Sequence, residues 1–258
     1  MNEKVSTILF STLIISIYFL IRNLAPYLME AWGGESTWLR LMIYYGTYAL
    51  PVLLFVGIGF GAKSIPEELG MNRSFPQALK WSLLFTLPML VGYAVLGTLN
   101  PEYTLWKAFL GAVCPATFEE LVFRAFVFGQ LFRHHRWGFV PASAVNALVF
   151  GAAHLWQGNG FGDSLGVFMV TFMGAVWFAW LYVEWDFNLW VPIMMHLLMN
   201  LYWGLFDIDS TALGGVWANV FRAATIALSI IFTLRLRPRR AVNRRNLWWQ
   251  VERSAKPA

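Results

Sequence analysis

The stretch TFEELVFRAF, residues 117–126, decides how this chain is read. It sits inside a run of 25 residues between Lys107 and Arg133 that is otherwise free of charge. A membrane-crossing helix needs roughly 20 apolar residues, with a range of about 17–25. Glu119, Glu120 and Arg124 therefore fall at membrane depth. Ionisable groups there are costly, at least ~2.5–3.5 kcal/mol each for Arg, Lys or Asp on insertion scales. They normally face the interior of a helical bundle, and they mark function.

The rest of the chain supplies that bundle. Of 258 residues, 58% are hydrophobic and 13% charged, and the mean hydropathy is +0.55. A soluble globular domain is nearer 45–50% apolar and about 25% charged. Seven further runs are long enough to span. They lie between Lys4 and Arg22, Arg40 and Lys63, and Lys80 and Glu102, then over 140–156, 164–183, 187–206 and 211–234. The expected fold is all-α: one integral membrane domain over 1–258, about eight transmembrane helices, and an intramembrane polar cavity. The first run exceeds the ~7–15 residues of a signal-peptide core, and no A-x-A-like site follows it, so it reads as a retained helix. Cys114 is alone, which excludes an intramolecular disulfide; it reads as a small apolar helix residue. There is no internal repeat and no low-complexity segment.

Lys and Arg are distributed unevenly. With the N-terminus in the cytoplasm, 14 of the 19 fall on cytoplasmic segments and three (Arg22, Arg40 and Lys107) on the other side. That bias predicts both termini inside, in a bacterial inner membrane. The segment SIPEEL, 64–69, reads as an interfacial helix start with Ser64 as N-cap, Pro66 in the first turn and Glu67 three residues after the cap. The turn Glu184–Trp185–Asp186 is short enough to make its flanking helices antiparallel neighbours. The tail over 235–258 is basic and carries Trp248 and Trp249. It is expected to anchor the cytoplasmic end and, in a sharper reading, to meet anionic lipid headgroups. No nucleic-acid partner is expected.

Within the apolar runs the polar residues recur at helical spacing. Glu120 and Arg124 are i,i+4 and can pair, with Glu N-terminal to Arg. Glu119 points about 100° away, has Phe123 as its own i+4 neighbour, and is left free to act as a general base. On the next helix Phe150 and His154 are i,i+4, with Asn146 one turn earlier; His196 and Asn200 repeat the spacing further on. At about 1.5 Å per residue these groups share a slab on the order of 10 Å thick. Taken singly, Asn146 or either histidine reads as a helix–helix hydrogen bond. Arg222 reads as snorkelling or paired to a carboxylate, and His134 and His135 as solvated.

In this order Glu119-Glu120 with Arg124 resembles an EExxxR motif, Phe150-Gly-Ala-Ala-His154 an FxxxH motif, and His196-Leu-Leu-Met-Asn200 an HxxxN motif. Together they resemble the CAAX protease and bacteriocin-processing (CPBP, or ABI) family of intramembrane endopeptidases, which includes the type II CAAX prenyl proteases. The likeness covers roughly residues 64–205, including the segment PEELGM. It implies hydrolysis of a peptide bond in a membrane-associated protein or peptide. Glu119 and His154 would activate water, and His196 and Asn200 would stabilise the oxyanion. Glu120, Arg124 and Phe150 would be structural support. No cofactor is expected. The alternative is a zinc-dependent protease using Glu119, His154 and His196 as ligands, although HExxH is absent and Asn200 is a poor zinc ligand. A serine or cysteine nucleophile finds little support: no Ser accompanies a His at this depth, and Cys114 has no suitable partner. The non-proteolytic readings are a membrane scaffold and a proton-coupled carrier.

Overall fold

The computed structural model describes residues 3–209, 213–237 and 240–249. Thr211 at the start of the eighth run, Arg239, and residues 250–258 of the basic tail lie outside them, as do the side chains of Lys4 and Arg22. The described residues are helical over most of their apolar runs, and no strand is present among them. Helices α1 (Glu3–Trp32) and α2 (Thr37–Phe60) form a first antiparallel pair. Ser36 caps α2, its hydroxyl accepting from the Leu39 amide. A short helix, Ile65–Glu68, follows, with Pro66 in its first turn. Ser64 makes no side-chain cap there, because it already has helical backbone angles and continues the preceding 3-10 turn.

Helices α3 (Phe75–Phe85) and α4 (Leu87–Leu96) form one span bent by 43°. Pro88 lacks the amide that would continue the ladder through the bend. The Thr86 hydroxyl turns back to the Ser82 carbonyl instead, at 2.8 Å. Next comes a central rod over 105–134 that alternates α and π geometry: Leu105–Ala108, π over Phe109–Val113, Cys114–Glu120, π over Leu121–Phe128, and Gly129–His134. Then follow α5 (Phe139–Ala153), α6 (Phe161–Glu184), α7 (Trp190–Leu205) and α8 (Val216–Leu236).

The chain is an all-α polytopic membrane protein. Four helices are each long and apolar enough to cross a membrane: α1 from Leu9, α2, α6 and α8; the bent α3–α4 pair makes a fifth. The other three runs of the expected eight are the interrupted rod and the shorter α5 and α7, with 15 and 16 residues. These three carry all the motif residues. α5 packs on α6 and the rod, and α7 packs on α3, α6 and the rod.

At the end where the described tail lies, the loops are pinned by buried charge. Glu68 accepts from His134 Nε2 at 2.8 Å and faces Arg133 at 3.6 Å. The His134 ring packs on Phe60, and the His135 ring stacks on Phe10 at 5.0 Å. Neither histidine is simply solvated, because the loop folds back against the bundle. The turn after α6 is as tight as expected, with Asp186 and Phe187 both at positive φ.

Candidate active site

The rod's sequence explains its geometry near the motifs. Pro115 brings no amide to its turn, so one carbonyl in the turn before loses a helical donor. Here the Gly111 carbonyl accepts from Asn200 Nδ2 on α7, at 3.2 Å. The ladder widens to π geometry on both sides of Cys114–Glu120, a distortion that often accompanies functional positions.

Glu119 and His154 meet across the rod and α5. Glu119 Oε2 stands 3.8 Å from His154 Nε2, too far for a direct hydrogen bond. That oxygen has no hydrogen-bond partner, while the Glu119 side chain is 26% exposed. His154 closes α5 as its C-cap, and its Nδ1 lies 2.7 Å from the Phe150 carbonyl. A carbonyl can only accept, so Nδ1 carries the proton, and in the neutral ring Nε2 presents a bare lone pair towards Glu119. The i,i+4 spacing of FxxxH thus orients the histidine through the phenylalanine's main chain. The Phe150 ring has a second task. It packs edge-on to Phe123 at 4.8 Å and lies beneath the Arg124 guanidinium at 4.6 Å.

Glu120 is fully buried and serves two partners. Its Oε2 is 2.9 Å from Arg124 Nε, as the spacing requires. The two atoms are close but not aligned as a hydrogen bond, so the contact is one of charge. Its Oε1 is 2.8 Å from His196 Nδ1 on α7. Glu120 therefore does more than neutralise Arg124: it fixes the orientation of His196. The sequence hides this contact, since 76 residues separate the two and only packing of α7 on the rod joins them. Arg124, buried to 1%, is sandwiched between Phe150 and Phe178, the second at 5.2 Å.

The helical-face argument for the two glutamates fits this arrangement. Glu119 lacks a cationic side-chain partner at hydrogen-bond distance, and Glu120 sits in the ionic cluster. Asn146 departs from its expected role. It is fully buried, yet neither amide atom has a hydrogen-bond partner, so it is no simple helix–helix bond. Arg222 is held by Asn219 Oδ1 at 2.9 Å and by the Trp203 ring. Among the described residues no three His, Cys, Asp or Glu side chains are arranged to hold one metal ion.

Three tyrosines near the site were not singled out from the sequence. Tyr45 of α2 stacks on Phe118 at 4.5 Å, beside Glu119, and the hydroxyls of Tyr44 and Tyr48 are 3.1 Å apart one turn away. Their i,i+1 and i,i+4 spacing on an apolar helix looks like ordinary interior packing, so nothing in the sequence marks them.

Comparison with known proteins is informative over this same region. Residues 101–202 match the family model described as "Type II CAAX prenyl endopeptidase Rce1-like". A Bacillus subtilis protein named "Putative membrane peptidase YdiL" is 33% identical over 84 residues, which is 33% of this chain and 30% of that protein. The match thus spans less than a third of its length. No solved structure matches. The family match covers the stretch that holds all three motifs, in agreement with the resemblance read from them.

Proposed function

We propose that this chain is an intramembrane endopeptidase that hydrolyses a peptide bond in a membrane-associated protein or peptide without a metal. The observation that carries the reading is the facing of Glu119 Oε2 and His154 Nε2 at 3.8 Å, with the imidazole oriented by Phe150. Both groups can accept from one water lodged against them. Its oxygen lone pair is then turned towards the scissile carbonyl. As that oxygen bonds to the carbonyl carbon, Glu119 takes one proton and the carbonyl π electrons move onto oxygen. Collapse re-forms C=O and breaks the C–N bond, and the proton on Glu119 passes to the leaving nitrogen.

The oxyanion needs donors. Asn200 Nδ2 has two hydrogens, and Gly111 uses one. His196 Nδ1 is engaged by buried Glu120 at 2.8 Å, so the ring can offer only its Nε2 side, as a donor when that nitrogen carries a proton. Exposed Arg244 and Arg245, with Trp248 and Trp249, suit anionic lipid headgroups at the tail.

The test uses purified protein in detergent or proteoliposomes with a peptide library read by mass spectrometry. Glu119→Gln is expected to reduce cleavage about 10²–10⁴-fold, the usual worth of a general base. Asn200→Ala is expected to reduce it about 10²–10³-fold, as for one oxyanion donor. Unimpaired cleavage by Glu119→Gln overturns the mechanism, and loss of wild-type activity to chelators with recovery on added zinc overturns its metal-free form.

A further inference from the structure

We infer that the catalytic cavity opens on the membrane face opposite the termini, so that its substrate is a polypeptide presented on the extracytoplasmic side. The inference rests on the catalytic reading of Glu119 and adds the direction of entry.

Three elements show the same asymmetry about the site. In the rod, every residue from Glu120 to Phe132 is buried, whereas Leu105, Trp106, Phe109, Gly111 and Val113, on the other side of Glu119, are exposed. In α7, Val191 to Met195 are all buried; from His196 onward, Leu197, Met199, Asn200 and Leu201 are partly open. Helix α5 is closed at its start and ends at His154, followed at once by exposed Leu155 and Trp156. The rod and α5 run antiparallel, with Glu119 against His154 and Phe123 against Phe150. Their open ends therefore coincide at one face of the bundle. At the opposite face, Phe128, Phe132 and Phe139 pack together, and the Glu68–Arg133–His134 cluster lies across the end of the rod. A peptide cannot pass that plug, while the Asn200–Gly111 hydrogen bond lies in the open half.

The open face is also the one that Lys and Arg avoid. It carries Glu30, Glu35, Glu102, Asp163, Asp207 and Asp209 against Arg22, Arg40 and Lys107, whereas the closed face holds the basic tail. By the positive-inside rule the open face is extracytoplasmic. Its acidic margin favours a chain with basic residues beside the segment to be cut.

The test is thiol labelling. Cys114 is the only cysteine, and Cys114→Ala gives a blank background. Gly111→Cys places a thiol in the open half, where an added Cβ meets nothing within 4 Å. Leu155→Cys does the same beside His154 and serves if Gly111→Cys folds poorly. A membrane-impermeant maleimide should label either variant in right-side-out vesicles. Labelling confined to inverted vesicles overturns the inference, and so does absence of labelling from both faces. A Leu105→Cys control reports which face the open end of the rod occupies. Adding Glu119→Gln separates the two claims: an unchanged labelling pattern with lost proteolysis supports both, and unchanged proteolysis refutes the catalytic reading while leaving the direction of opening standing.

Discussion

Glu120 and Glu119 are adjacent in sequence and opposite in circumstance. Glu120 lies at zero exposure between Arg124 and His196, and Glu119 is a quarter open beside His154. Breaking a buried ion pair by removing one partner costs about 3–5 kcal/mol, because the surviving charge is left uncompensated. Glu120→Gln should therefore lower the unfolding temperature in detergent and also reduce cleavage, since His196 loses its anchor. Glu119→Gln should cut cleavage about 10²–10⁴-fold with little change in unfolding temperature. Equal thermal effects from the two variants would contradict the division of roles. Gly70 offers a purely structural contrast. It sits at φ +73°, and a Cβ there would stand 1.8 Å from the Phe187 carbonyl oxygen. Gly70→Ala should destabilise the loop between α2 and α3 without touching the site.

At the scale of elements, the tail is a cap. The amides of Gly138, Phe139 and Val140 open α5 and have no partners within that helix. They donate to the carbonyls of Trp248, Asn246 and Leu247, at 3.2, 2.8 and 2.8 Å. Buried Glu184 at the end of α6 accepts from the amides of Ala241 and Val242. Truncation after Leu236 leaves the three amides and the Glu184 carboxylate without these partners, and a lost N-cap alone costs about 0.5–2 kcal/mol. The truncated protein should melt earlier than the full chain, read by thermal unfolding. Arg244→Gln with Arg245→Gln should leave the melting point in detergent unchanged and reduce stabilisation by added anionic lipid. The basic, tryptophan-rich composition of this segment announces an interfacial tail. Its role as a cap was not legible, because backbone carbonyls do the capping and any sequence supplies those.

At the scale of the whole molecule, three interrupted or short helices carrying polar groups pack against longer apolar ones. The closed end is the basic end, so a reporter that folds only in the cytoplasm should be active when fused at the C-terminus. Alkaline phosphatase fused there should be inactive, and fused within 98–104 it should be active. The reverse pattern would refute the assigned orientation. Much of this architecture can be read from the chain. Composition requires a membrane bundle, the apolar runs locate its helices, and polar residues in such runs stand out because hydrocarbon penalises them. Period alone separates Glu119 from Glu120 and pairs Glu120 with Arg124. Tertiary structure alone decided that Glu120 also holds His196, that Gly111 answers Asn200, and that π turns flank the motif. Helical period is local and written every few residues. Contacts between helices depend on how whole elements pack, and no residue spacing encodes that.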